Sequence, residues 1–269
     1  RDATPLPRLG VTIAIFGAAS PIGFDIGPAI GGLFVDGFGW SLSVVFAFSA
    51  LLSVGTALLV TFGSREVRPE VVPEGSVVSL AFGAIRGVLS DRVVRRIFAI
   101  FGLAFLATQM TRPYIPVLVE EIVGVGPGLA SAIALVAGTA ALVGALISPI
   151  GGAIGDRIGF RPVLTAALIG GGLALFAMPL AGGVTILALI AVVLATCTAA
   201  VSAMIFGMLA KDVAPDRRSA TLNLVYLPLY AAGIVGPVIG GVVVTTGGLS
   251  ALFVAGASVF LFGAGAIVV

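Results

Sequence analysis

Runs of about twenty apolar residues follow one another along most of this chain, separated by short segments that hold nearly all of its charges. A transmembrane helix needs about 20 such residues to cross the hydrocarbon core of a bilayer. Charged residues make up only 10% of the sequence, against about 25% of an ordinary soluble domain. We therefore predict an all-α integral membrane protein. Its eight predicted membrane-spanning helices are 11–35, 41–62, 97–119, 128–150, 163–181, 184–209, 220–245 and 249–269.

The sequence also excludes several kinds of chemistry. It contains no histidine and one cysteine, Cys197, so it has no His-based zinc site, no Ser-His nucleophile pair and no disulfide framework. The apolar runs contain neither paired carboxylates nor a G-x-S-x-G serine. We therefore expect a protein that is not an enzyme and has no cofactor or metal. The net charge of +2 is small and scattered, which argues against a nucleic-acid partner.

The basic residues indicate how the helices are oriented. Cytoplasmic loops of membrane proteins carry an excess of Lys and Arg. One set of loops holds all but one of the 14 basic residues, while the opposite loops hold only the acids Asp36, Glu120 and Glu121. We predict a multi-pass protein of the plasma or inner membrane, with both ends of this chain in the cytoplasm.

A short sequence occurs twice. GPAIGG at 27–32 recurs as GPVIGG at 236–241, an offset of 209 residues, and the two copies run in the same direction. Parallel repeats of this kind are found in transporters built from two similar halves. Shifted by the same offset, the helices between 97 and 209 would have counterparts before residue 1. We therefore expect a fragment that holds helices five to twelve of a twelve-helix, two-bundle protein, without the first four.

One apolar segment, 76–90, is too short to cross a bilayer and contains Arg86. We interpret it as an interfacial helix inside a cytoplasmic linker at 63–95, because a crossing there would place basic residues on both sides. The linker then separates the last two helices of the first bundle, 1–62, from a second bundle of six helices, 96–269.

The repeated motif has a physical rationale. Gly23, Gly27 and Gly31 lie four residues apart on one helix face, so a second helix can approach closely. Pro28 removes a backbone hydrogen bond and bends the helix. A bent, closely packed helix is suited to the interface between two helix bundles that move against each other as rigid bodies. The predicted hinge and packing residues are Gly23, Gly27, Pro28, Gly31, Gly32, Gly236, Pro237, Gly240 and Gly241.

Two stretches resemble the major facilitator superfamily. GGAIGDRIGFRP at 151–162 is similar to its cytoplasmic loop motif, although Phe160 stands where a basic residue is usual. GFDIGPAIGG at 23–32 resembles the helix-five motif of its drug/proton antiporters, with Ala14 in place of a further glycine. The resemblance implies that Asp156 latches a cytoplasmic gate against the helix beginning near 220. The matching gate residues are Gly152, Asp156, Arg157, Gly159 and Arg161.

Two charges fall inside predicted spans. Asp25 and Arg112 each lie about 15 residues, or roughly 22 Å, from the cytoplasmic start of their helix. An intramembrane charge is costly, so it usually faces a cavity or a partner. Three hypotheses stay open: Asp25 titrates the coupled proton, Asp25 pairs with Arg112, or Asp25 faces water in an outer vestibule.

The resemblance places the seventh and tenth helices of the family, here 97–119 and 184–209, around a central cavity. The candidate cavity residues are Gln109, Tyr114, Ser202, Phe206, Asn223 and Tyr226. The resemblance to drug/proton antiporters implies proton-coupled efflux of small hydrophobic or amphipathic compounds, and we expect a monomeric full-length protein. The spans are sparse in polar groups, which favours such substrates over sugars or metabolites. The alternatives are a metabolite or sugar carrier and a fragment that does not transport.

Overall fold

The computed structural model describes residues 27, 30–63, 85–87, 90–212, 221 and 224–268. These residues are helical nearly throughout, with no strand among them. Four predicted site residues lie outside the described residues, together with most of the predicted span 11–35 and most of the predicted interfacial helix. They are Gly23, Asp25, Pro28 and Asn223.

Seven α-helices form the described structure, and six are long and apolar enough to cross a membrane. They are α1 (Leu42–Gly63), α2 (Arg92–Thr111), α3 (Ile115–Val123), α4 (Leu129–Ile158), α5 (Phe160–Ala177), α6 (Val184–Asp212) and α7 (Tyr226–Val268). Helix α7 is two helices in one run, since Gly248 has φ 80° and ψ 178°. Helices thus occupy seven of the eight predicted spans, and the all-α prediction is confirmed.

Helix α2 begins at Arg92, five residues before the predicted start at 97. The carboxylate of Asp91 accepts hydrogen bonds from the backbone N–H of Val93 (2.8 Å) and Val94 (3.3 Å). This N-cap satisfies donors that have no partner inside the helix. The cap explains the early start, because it extends the helix into a basic segment that hydropathy alone assigns to a linker.

Arg96 connects the beginning of α2 to the end of α7. Its guanidinium donates to the backbone carbonyl of Ala266 from Nε (3.1 Å) and Nη2 (2.6 Å), and to that of Ile267 at 3.2 Å. Carbonyls in the last turn of a helix lack intrahelical donors, and a cation there is favoured by the helix dipole. Arg96 therefore caps α7 from a helix 170 residues away.

The predicted span 97–119 is not one continuous α-helix. A 3₁₀ turn, Arg112–Tyr114, separates α2 from α3. Pro113 lacks a backbone N–H, and its ring would clash with the carbonyl four residues earlier in an α-helix. Pro113 is visible in the sequence as a helix breaker. Hydropathy did not detect the break, because the apolar run continues through Pro113 and Pro116.

Helices α2 and α4–α7 pack into one bundle. Helix α7 lies along α2 and α5, and α6 lies along α4 and α5. The largest fully buried side chains include Phe101, Leu168, Phe253 and Phe260. Helix α1, by contrast, has no buried residue. An apolar helix of that kind needs lipid or another protein segment around it.

Two short helical turns adjoin α1 and α5. A π-helical turn, Leu33–Gly37, precedes α1, and a 3₁₀ turn, Met178–Leu180, ends α5. Residues 181–183 then join α5 to α6, and the described residues place no atom within 4 Å of a Cβ built on Gly182 or Gly183. This short connection falls between the predicted spans 163–181 and 184–209.

Candidate functional site

The second copy of the repeated motif is a packing surface on α7. A Cβ built on Gly240 would lie 2.5 Å from the carbonyl oxygen of Met110, and one built on Gly236 would lie 2.9 Å from Cβ of Gln109 and 3.0 Å from the Met110 nitrogen. Both glycines are buried. The backbones of α2 and α7 therefore approach to a distance that only glycine allows.

Two of the predicted cavity residues lie on this surface. The ring of Tyr114 is 3.2 Å from a Cβ built on Gly240, and its hydroxyl is 3.5 Å from one built on Gly241. The Gln109 amide nitrogen is 3.4 Å from a Cβ built on Gly233. The structure thus brings Gln109 and Tyr114 against the predicted packing motif, and both side chains are half-buried.

Five rings form a continuous line, which we call the aromatic row: Phe101 and Phe105 of α2, Phe206 of α6, and Tyr226 and Tyr230 of α7. The ring centroids are 4.6 Å apart for Phe101–Phe105, 6.4 Å for Phe101–Phe206, 5.9 Å for Phe206–Tyr226 and 6.3 Å for Tyr226–Tyr230. Phe105, at one end of the row, is half-buried, and exposure then rises from 1% at Phe101 to 42% at Tyr226 and 66% at Tyr230.

The aromatic row contains Phe206 and Tyr226, which the sequence predicts as cavity residues, and three rings that it does not predict. Phe101 and Phe105 are one helical turn apart, and this spacing was the signal that could have identified them. Aromatic pairs at these separations are attractive beyond the area that they bury. The row therefore forms one surface shared by three helices.

The hydroxyl of Ser202 is directed to its own helix. It donates to the carbonyl of Thr198 at 3.1 Å, and buried Thr111 donates to the carbonyl of Ala107 at 2.8 Å. Such bonds satisfy a hydroxyl in apolar surroundings. Ser202 is half-buried on α6, so the residue adds little free polarity to the surface around Phe206.

Arg112 lies at the break between α2 and α3, in the 3₁₀ turn, and its side chain is exposed. The break places this charge at a helix end and outside a regular α-helical segment. Since Asp25 is outside the described residues, the pairing of these two charges stays a prediction.

The loop motif spans the last turns of α4 and the start of α5. Gly159 has φ 99° and ψ 148°, a backbone conformation that side chains of L-residues rarely adopt, so glycine is required between α4 and α5. Gly152 lies within α4, and Asp156, Arg157 and Arg161 are exposed around the turn. The residues just before Thr221 are outside the described part, so the latch of Asp156 against that helix stays a prediction.

Phe160 departs from the family pattern for a packing reason. Its ring lies 2.9 Å from a Cβ built on Gly207 of α6 and 3.0 Å from one built on Gly155 of α4. The ring is half-buried between these two helices. An apolar side chain at this position therefore fills a gap that a basic residue would leave open.

The first copy of the motif contacts a different helix. A Cβ built on buried Gly32 would lie 2.7 Å from both the Ala130 carbonyl oxygen and the Ala134 Cβ of α4. One turn later, the Asp36 carboxylate accepts a hydrogen bond from the backbone N–H of Ser131 at 2.6 Å. Segment 30–37 therefore lies against the first turns of α4.

A bundle of membrane-length helices, with packing glycines in two parallel copies, is the architecture of secondary transporters. The family model of the Major Facilitator Superfamily matches residues 1–147 and 130–269, so this chain belongs to that superfamily.

Curated relatives agree with this assignment. Three proteins named "Multidrug resistance protein MdtG" are similar to the chain. The protein from Enterobacter lignolyticus is 26% identical over 97% of this chain and 62% of its own length. Those from Citrobacter koseri and Dickeya zeae are 28% and 30% identical, over 62% and 61% of this chain and 41% and 40% of their own lengths. The chain thus spans between 40% and 62% of these relatives.

Proposed function

We propose that this chain works as part of a secondary transporter that exports small hydrophobic or amphipathic compounds from the cell by alternating access. Membership of the Major Facilitator Superfamily supports transport of a small-molecule substrate across a membrane. The relatives named as multidrug resistance proteins support efflux of varied compounds. Their names describe those proteins, and the extension to this chain is our proposal.

The aromatic row is the observation that carries the proposal. It presents ring faces of graded exposure and two phenol hydroxyls, on three helices that pack together. Ligand sites for apolar compounds are typically lined by aromatic side chains with few polar groups. Ring faces also attract cations, so the row suits amphipathic compounds that carry a positive charge.

Alternating access would move the segment 1–62 against the bundle 96–269, with the linker 63–95 between them. Asp156 would latch the cytoplasmic side when the outer side is open, as the family resemblance implies. A charge at a helix end contributes about 0.3–1 kcal/mol when exposed, which a bound substrate can overcome. In this scheme both ends of this chain are cytoplasmic.

Proton coupling is the finer part of the proposal. Asp25 would release a proton on one side and take one up on the other, in exchange for substrate. Arg112, at the helix break, would stabilise the ionised carboxylate if the two approach each other. The competing arrangements, a permanent ion pair or a carboxylate facing water, predict a transporter whose proton dependence survives removal of Asp25.

Efflux of a lipophilic cationic dye from cells that lack their own exporters tests the function. We expect the full-length protein to lower dye accumulation, and Phe206→Ala with Tyr226→Ala to raise it at least fivefold towards the level of empty cells. Phe262→Ala is the matched control, since Phe262 is 70% exposed and outside the row. Equal efflux by both variants would contradict a role for the row.

The coupling is tested in the same cells with Asp25→Asn, and Glu121→Gln serves as the control for loss of a carboxylate. We expect Asp25→Asn to abolish the part of efflux that a protonophore also abolishes. Proton-driven efflux that persists in Asp25→Asn would remove Asp25 from the mechanism. Uptake of a sugar or metabolite without dye efflux would favour the carrier alternative, and no transport at all would favour the non-transporting fragment.

A further inference from the structure

We propose that Asp36 is a gating residue: its carboxylate caps the N-terminus of α4 and holds the outer ends of the two parts of the transporter together. The contact must break before the outer side can open. This inference rests on the proposed function, because a gate has meaning only in a protein that alternates between two open states. It assigns a role to an acid that lies outside both family motifs.

Helix α4 begins without a cap of its own. It starts at Leu129 after Gly128, which has φ 95° and no side chain to accept a hydrogen bond. The first N–H groups of a helix have no acceptor inside it and carry partial positive charge. The Asp36 carboxylate lies 2.6 Å from the Ser131 nitrogen, so a residue 95 positions earlier supplies the missing acceptor.

Gly32 provides a second and independent contact between the same two segments. It is buried against Ala130 and Ala134, at distances where even a methyl group would clash. Gly32 and Asp36 are one helical turn apart, and their contacts on α4 span residues 130–134. The interface is therefore a close-packed glycine with a charged hydrogen bond beside it.

The backbone around Asp36 is shaped for this contact. Residues Leu33–Gly37 form a π-helical turn, a geometry that is rare and often found at functional sites. The ring of Phe34 stacks on Trp40 at 4.7 Å and meets Phe48 edge-on at 5.5 Å. These ring contacts connect the turn to the start of α1. The turn that carries Asp36 therefore contacts α1 through its rings and α4 through the carboxylate.

The position of the contact complements the predicted cytoplasmic latch. Ser131 is in the first turn of α4 and Asp156 is in its last turn, about 38 Å apart at 1.5 Å per residue. Asp36 thus contacts the N-terminus of α4, and Asp156 lies in the last turn of the same helix, where its latch is what the family resemblance predicts. In the described structure the contact at the Asp36 end is closed.

Disulfide trapping tests the proposal directly. Asp36→Cys and Ser131→Cys are placed in the full-length protein, with Cys197 and any other native cysteines changed to serine. A protease site in the linker 63–95 reports the cross-link, because cleaved halves stay joined only when it forms. We expect mild oxidation to join the halves and to reduce transport at least tenfold, with recovery on reduction. The single-cysteine variants are the controls.

A labelling experiment measures the equilibrium without a cross-link. Ala134→Cys reports opening, because its half-buried side chain becomes more accessible to an impermeant maleimide added from outside when segment 30–37 moves away. We expect Asp36→Ala to raise its labelling rate about fivefold, in line with loss of a charge at a helix N-terminus, and Asp36→Asn to raise it less. Glu121→Gln leaves the rate unchanged, and Val125→Cys in the exposed loop labels equally in every variant.

The two readouts separate failure of the gate from failure of the proposed function. Unchanged labelling in Asp36→Ala, or a cross-link that leaves transport intact, overturns the gate while export stands. A wild-type protein that moves no dye overturns the proposed function. In that case, unequal labelling of Ala134→Cys in Asp36→Ala and wild type still establishes that Asp36 holds the outer contact.

Discussion

The two copies of the glycine-proline motif use different glycines. In the second copy, Gly236 and Gly240 lie against the backbone of α2, and among the described residues only the Tyr114 hydroxyl lies within 4 Å of a Cβ built on Gly241. In the first copy, the last glycine, Gly32, is the one in close contact, and its neighbour is α4. Within the described residues, no atom lies within 4 Å of a Cβ built on Gly27 or Gly31.

The same motif therefore makes different contacts in its two copies, depending on which helix lies next to it. Successive residues of an α-helix are rotated by about 100°, so Gly31 and Gly32 present different faces. Gly240, the repeat mate of Gly31, serves packing within one bundle. Gly32 serves the contact between the segment before the linker and the bundle after it. The motif places glycine on both helix faces, so a second helix can approach closely on either one. The position of the neighbouring helix determines which face makes the contact.

The largest effect is expected at Gly240. Gly240→Ala places a methyl group 2.5 Å from the Met110 carbonyl oxygen, and backbone cannot move aside as a side chain can. We expect the free energy of unfolding to fall by about 1–3 kcal/mol, measured by denaturant titration of the purified protein in detergent. Gly265→Ala in the same helix is the control, since the described residues leave open space there. Equal losses in the two variants would contradict this account.

Gly32→Ala is expected to weaken a contact and to leave the bundle folded. Its methyl group meets Ala130 and Ala134 at 2.7 Å, so closure of segment 30–37 onto α4 loses about 1 kcal/mol. A slower cross-link between Asp36→Cys and Ser131→Cys would report this loss. Adding Ala134→Gly should restore the rate only in part, because the Ala130 carbonyl remains. Full restoration would show that side-chain crowding alone is responsible.

Gly31→Ala should raise the free energy of unfolding, whereas Gly240→Ala, at the corresponding position of the repeat, should lower it. With no described atom within 4 Å, the methyl group meets no obstacle, and alanine favours the helix by about 0.5–1 kcal/mol over glycine. Thermal unfolding of the 269-residue chain in detergent measures it. A clear loss of stability would reveal a neighbour of this face among the residues of the chain that lie outside the described ranges.

Gly241→Ala is expected to have the smallest effect, within about 0.5 kcal/mol. The nearest atom to its added methyl group is the Tyr114 hydroxyl at 3.5 Å, an ordinary van der Waals distance. The same measurement as for Gly240→Ala applies, with the two variants compared side by side. A loss similar to that of Gly240→Ala would mean that the two adjacent glycines share one packing face.

Helix positions were predictable from sequence because the length of an apolar run is set by the bilayer. Boundaries were less so: the Asp91 cap moves the start of α2 to Arg92, and Pro113 divides a run that hydropathy reads as continuous. Polar capping and proline geometry act over a few residues. A count of apolar residues over a whole span does not detect them.

The contacts of the site were harder to predict than the helices. The family resemblance predicts Gln109 and Tyr114 as cavity residues, but it does not predict that the nearest helix is α7 or that Gly236 and Gly240 contact them. Likewise, Asp36 reads as one of three acids in polar loops, and its partner lies 95 residues away. Neighbour identity depends on tertiary packing, which periodicity does not encode.

Arg96 has a consequence for the order of the helices. Because its side chain reaches the carbonyls of Ala266 and Ile267, α2 and α7, the first and last helices of the described bundle, meet. The bundle is therefore closed head to tail, and a short linker could join residue 268 to residue 90. New ends could then open at the glycine turn 182–183, since chains tolerate circular permutation at exposed turns. The same contacts between α2 and α7 would form if the helices followed one another along the chain in a circularly permuted order.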